Sequence, residues 1–144
     1  MIILDTNVIS EMMKPEPDSN VDAWLANQPP ELVYTTAVTA AEIRSGIEIL
    51  PAGNRRHSLQ TAADRLLAGL FAGRILPFDE PAAPDYAEIV ARRRALGLPA
   101  GAFDALIAAI ARHHGAVLAT RDTQDFAHCG IRLVNPWSAP AKRR

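Results

Sequence analysis

Short strand-like runs separated by helical segments constrain this chain more than any other feature, because parallel neighbours in a sheet need crossovers and helices supply them. The opening run, residues 1–4, has no alternating polar face, and its Ile-Ile pair favours extended backbone, as expected of a strand buried on both sides. Further strands are read at residues 32–35, 74–78, 116–120 and 131–134. A short helix ends near Lys14 and Pro15, and a second, capped by Asp18, carries Val21, Trp24 and Leu25 until Pro29 and Pro30 stop it. A helix over residues 37–50 ends at Pro51 and Gly53, and a long one follows with Leu59, Ala63, Leu66, Leu67, Leu70 and Phe71 on one stripe. Residues 81–96 and 102–114 complete the helices, with a helical turn at 123–127. The pattern predicts one α/β domain over residues 1–137 with a mostly parallel sheet, followed by a basic tail, 138–144, expected to be partly disordered.

At 144 residues the chain is long enough to bury a core without staples, and its 49% apolar and 22% charged residues argue against general disorder. A net charge of -1 means that any nucleic-acid contact must come from a local patch. The single cysteine, Cys129, leaves no internal disulfide and no Cys-rich zinc site, which suits a reducing cytoplasm. Asp5 interrupts the N-terminus before a signal peptide's basic and apolar regions can form, and the run 105–111 is far short of a membrane span.

Acidic residues mark the candidate site. Asp104 lies in GAFDALIAAIA, a helix apolar on nearly every side, with Ile107 and Ala108 at i+3 and i+4 and no base within reach on that helix. Its plain alternative is to favour the helix N-terminal dipole. Glu42 shares a helix face with Val38, Gly46 and Ile49, or else is a solvated surface glutamate. Asp5 directly follows the first strand, where it could equally cap the next helix, and Asp122 opens the cap-like Asp122-Thr-Gln-Asp125. Asp5, Glu42 and Asp122 each come shortly after a predicted strand, and Asp104 opens a helix, so all four can meet at the carboxyl edge of one sheet.

Carboxylates brought together repel one another. At about 4 Å and an effective dielectric near 20, each pair costs on the order of 4 kcal/mol, so protons or a cation must compensate. Mg2+ or Mn2+ suits an all-oxygen cluster, and such an ion activates water and neutralises phosphate charge during in-line displacement.

The segments LDTNVISE, TAAEIRSGIEIL, FAGRILPFDE, AFDALIAAIA, ATRDTQDF and the late NPW occur in an order that resembles PIN-domain ribonucleases of the VapC toxin type, in the FitB-like branch. The resemblance covers nearly the whole chain. It implies a PIN-like fold with a five-stranded parallel sheet, and a Mg2+- or Mn2+-dependent endoribonuclease whose four acids fall on Asp5, Glu42, Asp104 and Asp122. Thr6 and Asn7 then steady Asp5 or a metal-bound water, while Asp125 is left unassigned. It also implies a homodimer silenced by a small DNA-binding antitoxin, whose C-terminal segment fills the active-site groove while its N-terminal domain binds operator DNA.

For RNA contacts, Arg44 and Arg121 stand out because each adjoins a motif acid. The clusters at 55–57, 92–94, 112–114 and 142–144 read first as solvated faces or helix-end charges. The four histidines do not pair in a way that suits metal-free RNA cleavage. Two other classes remain. A phosphotransfer domain with Asp5 as nucleophile lacks a phosphate-binding loop, and a non-catalytic RNA- or protein-binding module would not require all four acids.

Overall fold

A computed structural model describes residues 1–138, so all but the first residue of the basic tail lies outside the described part. Five short strands, β1 (Ile2–Leu4), β2 (Val33–Thr36), β3 (Ile75–Leu76), β4 (Val117–Ala119) and β5 (Arg132–Val134), form one parallel sheet in the order β3-β2-β1-β4-β5. Six α-helices connect them: α1 (Thr6–Met12), α2 (Ser19–Ala26), α3 (Ala37–Ile49), α4 (Asn54–Asp64), α5 (Ala83–Ala95) and α6 (Ala102–His114). No helix among the described residues is long and apolar enough to cross a membrane.

β1 is central, and consecutive residues on it serve opposite faces, as pleating requires. Ile3 packs with Leu118, Ile89 of α5, and Ile107 and Ile110 of α6. Leu4 packs with Ala119, with Val8 and Ile9 of α1, and with Ile43 and Ile47 of α3. The sheet is therefore covered on both sides, which explains why its strands read as continuous apolar runs. In α6 the buried series Ala105, Ile107, Ala108, Ala109, Ile110 and Ala111 mixes small and branched side chains, so the helix is enclosed over most of its length. It stops at Gly115, whose φ of 61° is left-handed, and Ala116 N–H then bonds Ala111 carbonyl at 2.9 Å.

The elements match the sequence reading in kind and differ at their ends. The third strand shrinks from 74–78 to Ile75–Leu76: Pro77 has no N–H to continue the ladder, and Arg74, whose carbonyl still accepts from Thr35 N at 3.1 Å, spends its side chain elsewhere. Its guanidinium caps the carbonyls of Pro30, Val33 and Leu70, tying the β2 entry to the end of the preceding helix. The long helix is not uniform: α4 passes into a π-helical stretch, Arg65–Leu70, before Phe71. The expected helix at 81–96 begins with a 3-10 turn, Glu80–Ala82, and a further 3-10 turn over Pro30–Leu32 sits where the sequence reading starts its second strand.

Arg93 departs most from its sequence reading as part of a solvated cluster. It is buried, and its Nη1 donates to Ala127 carbonyl at 2.5 Å and to Gln124 carbonyl at 3.5 Å. Its α5 position thereby fixes the 3-10 turn Thr123–Phe126 behind Asp122, while its own Nε is left without a partner. Arg93→Met loses two charge-assisted bonds and also removes the orphaned N–H, so the net cost is about 1–2 kcal/mol. A thermal melt followed by circular dichroism should show Tm lowered by roughly 3–6 °C.

Candidate active site

The strand order places the site. From β1 the chain steps to β2 and β3 on one side, then returns to β4 and β5 on the other, so β1 and β4 flank a topological switch point. Connections leaving their carboxyl ends diverge and open a crevice. Asp5 follows β1 there, and its N–H makes the last rung to Ala119 at 2.9 Å before its carbonyl accepts the first α1 bonds from Val8 and Ile9. Across the crevice β4 ends in Thr120, followed by Arg121 and Asp122.

All four acids line one pocket of about 430 Å³ together with Thr6, Asn7, Glu11, Lys14, Arg121 and Trp137. Asp5 comes from the end of β1, Glu42 from α3, Asp104 from the first turn of α6 and Asp122 from the segment after β4. The capping alternatives do not account for them. Asp5 occupies the N-cap position of α1 and Asp122 that of the following 3-10 turn, but neither side chain makes a capping bond. Asp18, by contrast, does cap α2 as read, with Oδ1 accepting from Asn20 N at 2.8 Å and Val21 N at 3.3 Å.

A network of neutral groups holds the acids. Thr120 Oγ1, fully buried, donates to Asp5 Oδ2 at 2.8 Å and accepts from Asp122 N at 3.0 Å. Asn7 Nδ2 lies 3.1 Å from Asp122 Oδ2, 3.3 Å from Thr120 Oγ1 and 3.5 Å from Asp5 Oδ2, while its Oδ1 accepts from Arg121 N at 3.2 Å. That last bond fixes which way the amide faces. Thr6 Oγ1 donates to Glu42 Oε1 at 2.6 Å and sits 3.2 Å from Thr39 Oγ1. Asp104 lines the pocket and accepts no hydrogen bond from the described residues.

Of the residues predicted to assist, Thr6, Asn7 and Arg121 line the pocket and Arg44 does not. Arg44 instead pairs with Asp64 of α4 at 2.8 Å, because its position two residues beyond Glu42 puts it on another face of α3. Asp125 stays outside the pocket lining, yet its charge acts on Asp104. Sequence reading missed Thr120, Thr39 and Glu11. The hydroxyls carry no spacing signature. Glu11 is buried, held by Lys14 Nζ at 2.9 Å and by Asp18 N–H at 2.8 Å, which keep its carboxyl below the usual range.

The electrostatics follow from burial. Asp5 is 4% exposed, and desolvation pushes its pKa up to about 6 against the lowering effect of the Thr120 hydroxyl and the Thr6 N–H, with Asp104 and Glu42 adding repulsion. Burial likewise raises Asp104, with the charges of Asp125, Glu42 and Asp122 pushing the same way and Arg93 opposing. Such a set suits a cation. The donors are all oxygen, as a hard ion prefers, yet among the described residues no three acidic, histidine or cysteine side chains converge closely enough to grip one ion directly. An ion that keeps much of its hydration shell and takes one or two carboxylates directly fits that arrangement, as Mg2+ does.

Ionised Asp5 is a stability cost. Its folded pKa lies above the ordinary 3.8, so its contribution is favourable below about pH 4 and is lost as pH rises through about 6. Asp5→Asn removes that loss. In EDTA at pH 7.5 the variant should melt above the parent, by an amount equivalent to at most about 3 kcal/mol, and the advantage should vanish near pH 4. Melting curves across that range check it; a variant less stable than the parent at every pH would contradict the burial argument.

Beside the acids runs a second, apolar cleft of about 740 Å³ between α1, α3 and α4, which shares Thr6, Ser10, Lys14 and Glu42 with the acidic pocket. Residues 2–131 match the PIN domain family. The chain is 45% identical over 137 residues to VapC ribonuclease Y4jK of Sinorhizobium fredii, covering 95% of this chain and 98% of that protein. It is 44% identical over 137 residues to Toxin FitB of Neisseria gonorrhoeae, covering 95% and 99%. Among solved structures, FitAB bound to an IR36 DNA fragment superposes with a TM-score of 0.90 at 43% identity, covering 99% of this chain and all of that one. A parallel sheet in the order β3-β2-β1-β4-β5, four acids at its switch point and these likenesses along almost the whole length agree: the chain belongs to the PIN domain family.

Proposed function

We propose that this chain is a divalent-metal-dependent endoribonuclease and the toxin of a toxin–antitoxin pair, with residues 1–137 as the catalytic unit. One observation carries the reading: four carboxylates from four separate elements share one pocket and none spends its side chain on a helix cap. The names of the relatives, a VapC ribonuclease and the toxin FitB, support it.

In this reading Asp5, Glu42, Asp104 and Asp122 would hold Mg2+ or Mn2+, one or two of them directly and the others through the ion's water shell. When bound, such an ion would supply Lewis-acid stabilisation of phosphate charge and make water more acidic. The protein's own groups do the rest. Thr6 and Thr120 hold Glu42 and Asp5 by their hydroxyls, and Asn7 spans Asp5 and Asp122, so the acids are oriented before substrate arrives. Asp104, free of protein donors and raised in pKa, accepts the proton of the attacking water. As the new phosphorus–oxygen bond forms, the ester bond to the leaving oxygen breaks, and that oxygen takes a proton from solvent.

The apolar cleft beside Glu42 receives the antitoxin's C-terminal segment, since it offers apolar area ending at the Glu42 carboxylate, where it joins the acidic pocket and can attract a basic side chain. A homodimer, assembled with a DNA-binding antitoxin on operator DNA, is the form we assign to the resting protein. The crystallised FitAB complex with DNA supports this, and a cytoplasmic site of action follows from an RNA target.

Asp104→Asn should reduce cleavage of total cellular RNA in Mg2+ by at least about 100-fold while leaving the circular dichroism spectrum and Tm near the parent's. EDTA should silence the parent, and added Mg2+ or Mn2+ should restore it. Parental rates in the variant, or full activity in chelator, would overturn the assignment and favour a non-catalytic module or a metal-free mechanism.

A further inference from the structure

The acidic pocket must admit an anionic strand, and its lining offers few cations for the purpose. Two line it, Lys14 and Arg121. Lys14 is committed to Glu11 at 2.9 Å. Arg121 makes no ion pair among the described residues, although Asp122 is its chain neighbour and Glu11 lies near enough to feel its charge. Asp122 is turned instead toward Asn7.

What fixes Arg121 is an aromatic ring. Its Cζ sits over the Trp137 ring, 4.5 Å from the centroid. Trp137 is itself pinned, since its N–H donates to Asn135 Oδ1 at 2.9 Å and its carbonyl accepts from Asn20 Nδ2 at 3.0 Å, and the side chain packs against the core that contains Leu4 and Val21. The Arg121 main chain is anchored separately by Asn7 Oδ1 at 3.2 Å. A guanidinium held through its face keeps its edge N–H donors available, and those match a phosphate bidentately.

We propose that Arg121, seated over Trp137 at the mouth of the acidic pocket, binds a backbone phosphate of the RNA next to the one being cleaved. Trp137 is then a positioning residue that acts through Arg121. The inference rests on the nuclease reading above and adds to it the contact that holds the strand.

The test uses the full-length protein. Binding of a fluorescein-labelled, mixed-sequence single-stranded RNA is followed by anisotropy in an Asp104→Asn background over a range of NaCl, and cleavage of total cellular RNA is followed in the otherwise native protein. Arg121→Met should weaken binding about tenfold and lower the slope of log Kd against log salt by about 0.7, the loss of one phosphate contact. KM should rise with kcat within about twofold of the parent, and Arg121→Lys should restore part of the slope but less of the affinity. Trp137→Phe should stay near the parent, Trp137→Ala should reproduce much of the Arg121→Met effect, and the two losses should not add. If Trp137→Ala does not fold, the Arg121 and Trp137→Phe variants carry the comparison. An unchanged Kd and salt slope in Arg121→Met, with the parent cutting RNA, would overturn this inference alone. A parent that neither binds nor cuts RNA in Mg2+ would instead overturn the nuclease reading beneath it.

Discussion

The carboxylate of Asp5 is buried at the end of the central strand, and most of the surrounding architecture makes that placement tolerable. An aspartate that must lose its hydration to sit there holds its proton until about pH 6. Two nearby acids, Asp104 and Glu42, increase the penalty, and the Thr120 hydroxyl reduces it. The local arrangement is unfavourable for folding and favourable for capturing a cation, a conflict expected where a fold carries chemistry.

Both apolar cores contribute to holding this arrangement. Ile3 and Leu118 belong to the core under α5 and α6, and Leu4 and Ala119 to the core under α1 and α3, so the two strands that end in the acidic crevice are clamped on both faces. Fully burying each of Ile3, Leu4 and Leu118 is worth about 1.5–3 kcal/mol, which together help to offset the repulsion at the strand ends. α6 delivers Asp104 from the same rigid body. Its buried alanine-rich series lets it lie close against the sheet, so the position of its first turn is set by packing over its whole length.

Cations are placed where they do not cancel the site. Arg93 is buried behind the turn that follows Asp122 and bonds main-chain carbonyls, Arg74 does the same at the entrance to β2, and Arg44 is spent on Asp64. Lys14 serves Glu11, and Arg121 is carried by Trp137. The result is a negative pocket bordered by one guanidinium that the described acids do not pair with, and continuous with an apolar cleft through Thr6 and Glu42.

The alternation of apolar runs and helices was enough to determine a parallel α/β sheet, because burial on both faces leaves strands no polar side and helices are the means of crossing between them. The four acids were legible for a similar reason: Asp104 interrupts an apolar helix, and Asp5 and Asp122 stand where strands end. The sequence could not show whether Asp5 and Asp122 cap helices, since the same residue types serve both ends and only the side-chain geometry separates them. Nor could it show that Arg44 turns away, that Arg93 is interior, or that Thr120, Thr39 and Trp137 belong to the site's support. Those depend on contacts between residues far apart in the chain, such as Thr120 with Asp5 and Trp137 with Asn20, which local pattern does not encode. Residue type and period determined which elements form and which groups are charged; the three-dimensional packing of those elements decided which charges meet and which are neutralised.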